Sequence, residues 1–326
     1  MKTRLRPSDW VFWLAAAFLA ASSQSALAQN APKVWHVALC HVGLDHEPPG
    51  LDTLHHALND MGYVDGKNLW YDWRNQRDGA AAAATIKEWV AGKVDVIVGF
   101  EDQCVRAASL ATKTIPIIFV HIYDPLAASY IKSLAHPGGN LTGVVSNLSL
   151  IGKRLEVLKE IDPRLESVLV LSDRNDPYSA SELKLARQAA ARLGLKLVER
   201  DAHAEADLKR VFADLKPGQV GAVIVASPDL QTNQPRLIIK LSDDARLPVA
   251  GHRAAWVDWG AVVSYSSDLP LAGPKAARYI DKIFKGANPA DLPVEEVSEI
   301  VIKVNPTRAH EFGLTIPQSV LVRAAP

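Results

Sequence analysis

The sequence predicts an α/β protein made of two doubly wound parallel-sheet lobes, joined by hinge crossings into a clamshell with a ligand cleft between them. Three observations point there. Short apolar, β-branched runs alternate with amphipathic helical stretches along most of the 326 residues, the pattern of a parallel sheet covered on both faces. The length suits two domains of roughly 150 residues each. The halves also echo one another in order: Val96-Ile97-Val98 with Val223-Ile224-Val225, Ile115-Pro116-Ile117 with Leu247-Pro248-Val249, and Gly143-Val144-Val145-Ser146 with Ala261-Val262-Val263-Ser264. Ordered repetition of this kind indicates two similar lobes.

The first 28 residues stand apart: Lys2, Arg4 and Arg6 precede an uncharged apolar run, Val11 to Ala21, and Ala26-Leu27-Ala28 forms a small-x-small exit. This reads as a secretory signal peptide cleaved after Ala28, because the apolar run falls short of the roughly 20 residues that span a bilayer. The mature chain is then expected to be exported and periplasmic. Strand patterns follow at Val34–Cys40, Asn68–Trp73, Val94–Gly99, Ile115–His121 and Leu141–Ser146, with helices at Leu51–Met61, stopped by Gly62, and Ala80–Ala91. The second half repeats the plan with strands at Val168–Ser172, Leu195–Arg200, Val220–Ala226, Leu247–Gly251 and Val262–Tyr265, and helices at Ser179–Leu193, Ala204–Leu215 and Gln231–Ala245. A last helix, Leu271–Lys285, a Pro-rich link, a strand at Glu299–Val304 and a short helix at Pro306–Phe312 make a tail too short for a core of its own. The expected division is therefore 29–146 for lobe 1, with 269–296 packing back on it, and 147–268 for lobe 2, with 297–326 returning to it.

Composition narrows the function. Charged residues are 22% and the formal net charge is zero, so no strong field favours nucleic acid or an anionic membrane. Without the leader the balance is 33 basic to 35 acidic residues. Two cysteines, Cys40 and Cys104, are too few to build a disulfide framework, although an exported chain permits one bridge. The sequence has no glycine-rich dinucleotide or phosphate loop, no G-x-S-x-G elbow and no H-E-x-x-H. No cofactor, resident metal or catalytic role is expected. His55-His56 lies mid-helix, where adjacent residues diverge and make no metal pair.

Ligands of a doubly wound sheet meet the loops after the carboxyl ends of its strands. Those positions hold Cys40 and His41, then Phe100 to Gln103, then His121, Tyr123 and Asp124, then Ser146 and Asn147. In the second half they hold Ser172 to Asn175, Ser227 and Asp229, His252 and Arg253, and Ser266 and Asp268. This mixture of carboxylates, arginines, hydroxyls and aromatics suits a small polar or zwitterionic solute held by charge-assisted hydrogen bonds. The candidate contacts are His41, Glu101, Asp102, Tyr123, Asp124, Ser172, Asn175, Asp229 and Arg253. Each loop Asp has an ordinary alternative as a helix cap; Asp124 before Pro125 suits Pro at the first helical position. Trp256 and Trp259 suit either ligand stacking or a core seam.

Several phrases resemble the substrate-binding proteins of ABC transporters, in the group that includes tryptophan- and tyrosine-type uptake binders. They are "GYVDGKNLWYDWR" from Gly62, "KVDVIVG" from Lys93, "IPIIFVHIYDP" ending at Pro125, "LAHPGGNLTGV" ending at Val144, "GKRLEVLKE" from Gly152, "AARLGLKL", "LPVAGHR", "AARYIDKIFKGANPADLPVE" and the terminal "GLTIPQSVLVRA". The resemblance spans nearly the whole mature chain. It implies a type I periplasmic binding protein that closes on a small solute and presents it, as a monomer, to a membrane permease. Asp124-Pro125 matches the family's DP, Asn175 falls in its NP.NP region, and Pro228-Asp229 resembles its PDP. Arg253 matches its RE position, with Ala254 replacing the acid.

The stretch Gly99-Phe100-Glu101-Asp102-Gln103-Cys104 departs from relatives that read GTPAALAA. Carboxylates at a helix start satisfy the macrodipole and repel an anionic ligand group. In one reading, Glu101, Asp102 and Asp124 receive a cationic or donor-rich end of the ligand, while Arg174 or Arg253 holds any acidic end. In another the loop is structural. The first and third strands are neighbours in a flavodoxin-like order, and a Cys40–Cys104 disulfide would pin the cleft rim. A third reading gathers Cys40, His41, Cys104, His121 and Asp102 around zinc or copper. The leading function is solute binding for an ABC uptake system. A periplasmic sensor subunit for a membrane receptor and an exported enzyme using the carboxylate-rich cleft are the alternatives.

Overall fold

The computed structural model describes residues 33–43, 48–122, 124, 126, 128–146 and 150–324. The leader and Tyr123 lie outside them. Sheet one has the order β11-β5-β4-β3-β1-β2, formed by β1 (Trp35–Val42), β2 (Leu69–Gln76), β3 (Val96–Phe100), β4 (Ile117–Ile122), β5 (Leu141–Ser146) and β11 (Glu295–Val297). Every pairing in it is parallel, with Cys40 opposite Gly99 and Phe119 opposite Gly143.

Period-two alternation sends the side chains of β1 to opposite faces. Val37 and Leu39 pack with α1 (Leu51–Asp60) and α10 (Ala272–Phe284). Ala38, Cys40 and Val42 pack with α2 (Gly79–Ala91) and α3 (Glu101–Ala111). Asp78 caps α2 by accepting the Ala81 N–H at 2.8 Å. Helix α1 buries Leu51, Leu54 and Leu58, and each such leucine is worth about 2 kcal/mol of transfer free energy. Gly62, at φ +88, turns the chain just past the end of α1.

The second lobe has a parallel set β7-β6-β8, made of β6 (Ser167–Ser172), β7 (Lys196–Asp201) and β8 (Ala222–Val225). A second set runs β12-β10-β9, from β9 (Ala250–Gly251), β10 (Val263–Ser267) and β12 (Ile300–Val304). A parallel bridge between Val223 and Val249 joins the sets, and among the described residues only β10–β12 pairs antiparallel. On one side pack α4 (Ile151–Ile161), α5 (Ser179–Leu193), α11 (Pro306–Glu311) and α12 (Gln318–Leu321). On the other pack α6 (Glu205–Ala213), α8 (Pro235–Asp244) and the short α7 (Pro228–Asn233) and α9 (Ala255–Asp258). The chain passes between lobes after β5, after β10 and after β11.

Three local expectations change. The helix expected over Gln231–Ala245 breaks at Gln234, whose φ of −127° is non-helical. Pro235 lacks an N–H and disfavours helical backbone in the residue before it. The strand expected over Leu247–Gly251 shrinks to two residues, with Val249 contributing one bridge. Among the described residues no helix follows Asp124: residues 126 and 128–130 form turns and a bend, and the Asp124 carboxylate accepts the Leu126 N–H at 3.0 Å. No helix among the described residues is long and apolar enough to cross a membrane.

Candidate functional site

The carboxyl ends of β1, β3 and β4 converge at the interface between lobes. Two residues there hold left-handed backbone, Glu101 at φ 65° and His121 at φ 61°. A non-glycine residue in that region costs on the order of 1–3 kcal/mol, which its surroundings must offset, and such strain collects at ligand clamps. Cys40 and Cys104 form a disulfide with Cα atoms 5.8 Å apart. It ties the end of β1 to the first turn of α3, and so holds the turn that carries Glu101. With both thiols so engaged, neither supplies a thiolate, and among the described residues no His, Cys, Asp and Glu cluster suits a metal ion.

Glu101 does not stand free. Its Oε1 accepts a charge-assisted bond from Arg253 Nη2 at 2.5 Å, across the lobes. Arg253 follows β9 and is buried. Burial alone would raise the Glu101 carboxyl, but the Arg253 guanidinium more than offsets this and holds it below its usual range. The same burial drives the imidazoles of His41 and His121 down to about 4, with Glu101 opposing and Arg253 adding. Both are therefore neutral near pH 7. The Pro49 carbonyl, 3.0 Å from His121 Nε2, can only accept, so the proton sits on Nε2. Nδ1 then accepts the Ser146 hydroxyl at 2.8 Å.

Beside this pair a cavity of about 40 Å³ lies between the lobes, lined by Glu101, Asp102, His121, Tyr178, Asp229 and Asn233 among others. Asp102 is held within its own lobe by Tyr130 Oη and Arg106 Nη2, each at 2.7 Å. From the second lobe comes Asp229, in the first turn of α7, whose N–H donates to Asp176 Oδ2 at 3.0 Å. Enclosure in the cleft, followed by the charges of Asp176, Asp173, Asp102 and Glu101, pushes the Asp229 carboxyl up to about 6, although its side chain keeps an open face to solvent. The lobes also touch at Gly43, where an added Cβ would lie 2.9 Å from Asn233 Oδ1.

The other candidates sit further back. His41 is fully buried behind Glu101. Ser172 donates to the Arg200 carbonyl at 3.3 Å, and Asn175 is exposed with its N–H on Asp173 Oδ1 at 2.8 Å. Arg174 turns to Asp201, at 2.7 Å. Asp124 caps its own turn. Trp256 is buried in the second-lobe core and Trp259 packs against the same core, with Arg236 4.8 Å over its ring. Sequence reasoning missed Asp176 and Tyr178. Asp176 accepts the Ser227 hydroxyl at 2.7 Å and organises the start of α7; its signal was the Asn175-Asp176-Pro177 turn, in which only Asn175 was singled out.

A family model described as ABC transporter substrate binding protein matches residues 36–326. A tyrosine-binding protein of Clostridioides difficile is 28% identical over 266 residues, covering 81% of this chain and 76% of the relative. Among solved structures, a conserved domain protein of Vibrio cholerae is 31% identical with a TM-score of 0.80, covering 90% of this chain and 99% of that one. An ABC domain from Streptococcus pneumoniae in complex with L-Trp is 25% identical with a TM-score of 0.77, at 90% and 99% coverage.

Proposed function

Since the chain belongs to the ABC transporter substrate-binding protein family, we propose that it is the exported solute-binding component of an ABC uptake system, and that its interlobe cleft receives a small amine-bearing or amino-acid-like solute. The observation that carries the reading is the charge at the cleft. Glu101, Asp102 and Asp229 line it; Arg253 pairs with Glu101 and Arg106 with Asp102, which leaves Asp229, with Asp176 beside it, as the acidic excess. The Asp229 carboxyl is raised first by its enclosure and then by the neighbouring carboxylates. A ligand ammonium would relieve it by charge-assisted hydrogen bonds. The tyrosine-binding relative and the L-Trp complex support an amino-acid-like solute.

In this reading residues 29–146 with 269–296, and 147–268 with 297–326, move as two bodies about the three crossings. A cavity of about 40 Å³ has room for a few water molecules only, so solute enters by opening and is enclosed on closure. The closed form must dock on the permease differently from the open form, because a solute shifts the equilibrium only by its differential affinity for the two. Residues 1–28 serve as the cleaved leader that delivers the chain, a monomer, to the periplasm.

A thermal-shift screen over amino acids, amines, nucleosides and dicarboxylates tests the proposal. A solute at 100 times its Kd adds about 2.7 kcal/mol of stability, several degrees in Tm. Stabilisation by an amine-bearing solute, recovered unchanged, is the expected outcome. Stabilisation by plain dicarboxylates alone contradicts it, and turnover of the solute would make the protein an enzyme.

A further inference from the structure

A buried ion pair joins the two lobes. Glu101 of the first lobe accepts from Arg253 of the second at 2.5 Å, with the side chains 19% and 9% exposed. That burial decides its weight: an exposed pair contributes little, whereas removing one member of a buried pair leaves the other charge uncompensated. Neither partner hangs on a loose loop. The Cys40–Cys104 disulfide fixes the first turn of α3, of which Glu101 is the first residue. Behind it the end of β3 is tight against that turn, since a Cβ added at Gly99 would lie 2.7 Å from Val105 Cγ2. On the other side the Arg253 carbonyl accepts the Trp256 N–H at 3.1 Å, and Trp256 is buried in the second-lobe core. A pre-set turn on each side and a planar guanidinium keep the entropy lost in forming the bond small.

Around the pair the lobes meet with like charge and little space. Asp102 of the first lobe and Asp229 of the second line the same cavity as Glu101. Its volume of about 40 Å³ is a fraction of the roughly 150 Å³ that holds one benzene ring. With the pair formed, the cavity in which the solute-binding reading places the ligand therefore admits no solute of amino-acid size. The attraction that holds this arrangement comes from the protein's own side chains, and the carboxylates beside it push the other way. Loss of either charge tips that balance. Without Glu101 the buried Arg253 loses the acid that holds it, and without Arg253 the Glu101 carboxylate faces Asp102 and Asp229 uncompensated.

Resting on the solute-binding reading, we propose that Glu101 and Arg253 form an autoinhibitory latch, which draws the lobes into a self-closed form too tight for solute. Loading then requires the latch to part, so the loaded form holds its lobes further apart than this one. Opening returns both charges to water and recovers their desolvation, which keeps the latch reversible. The latch sets what fraction of the chain is open to solute, and apparent affinity scales with that fraction.

Double electron–electron resonance on the full mature chain tests this. Nitroxides are placed at Lys87→Cys in α2 and Lys209→Cys in α6, both exposed, while the native cysteines stay locked in their disulfide. Unfolding in urea without reductant, then refolding, removes any carried solute. The parent should show mainly the short distance of the structure. Glu101→Gln and Arg253→Gln should each raise the ratio of long to short distances by roughly 10- to 100-fold, the value of a hydrogen bond to a charged group. The double variant should rise no further than the stronger single one, because both remove the same contact. Far-UV circular dichroism and Tm check that the variants are folded. A parent already long without solute, or a short distance kept in both single variants, overturns the latch. So does a double variant whose ratio is the product of the two single effects. None of these results touches the solute-binding reading, which falls only if the broad thermal-shift screen finds no solute.

Discussion

Reducing the Cys40–Cys104 disulfide should cost more stability than any single contact in the first lobe. The bridge closes a loop with a sequence separation of 64 residues. The chain-entropy model gives about 4 kcal/mol for a loop of that size, acting mainly on the unfolded chain. Domain stabilities are typically about 5–15 kcal/mol, so the loss would bring the first lobe near its limit. The assay is urea unfolding of the oxidised protein against the same protein unfolded, reduced and refolded in dithiothreitol, with a Cys40→Ala/Cys104→Ala variant as control. The reduced form should show a lower midpoint and a steeper m, because its unfolded state is less restrained. The double variant should fall lower still, since both side chains are fully buried in the core. The bond also holds the Glu101 turn, so solute affinity should fall with reduction. A midpoint unchanged on reduction, or alkylation of both thiols in the unreduced, denatured protein, would refute the reasoning.

Other outcomes follow from the same interface. Asp229 has its folded-state carboxyl raised to about 6 from 3.8, so between those values the folded state holds more protons than the unfolded one. Its contribution to solute-free stability is present below about 4 and is lost as pH rises through 6. A cationic solute favours the ionised carboxylate, so binding should release a proton near pH 6 and affinity should rise across it. Titrations at pH 5 and 7 should lose that dependence in Asp229→Asn, and a variant with the wild-type pH profile would count against a cation beside Asp229. At Gly273 in α10, an added Cβ would lie 2.2 Å from Thr53 Oγ1 and 2.3 Å from the Gly50 carbonyl. Gly273→Ala should therefore force α10 off α1 and cost about 1–3 kcal/mol, read as a lowered Tm; an unchanged Tm would show that the two helices are not locked together there.

Much of the fold was legible because it rests on local periodicity. The apolar run Val96–Phe100, the leucine stripe of Leu51, Leu54 and Leu58, and the positive-φ glycine at position 62 each state their role within a few residues. The elements read less well are those whose local preference is overridden by neighbours. Pro235 interrupts a long amphipathic pattern, and β11 is a three-residue strand that exists because β5 offers it an edge. The helix α4 begins at Ile151, after Leu150, with no side-chain cap to announce it.

The candidate site divides in the same way. The unusual acids at Glu101 and Asp102, their place after the third strand and the family to which the chain belongs are all properties of the order of residues. So is the neighbour relation of the first and third strands, which a doubly wound topology imposes. That Arg253 reaches Glu101 over a separation of 152 residues, that Arg174 turns to Asp201, and that Asp176 and Tyr178 come to the cleft belong to the packing of the folded chain. Charge and periodicity are local and can be read along a chain, whereas the partner of a buried charge is chosen by which surfaces meet, and only the packed structure brings those surfaces together.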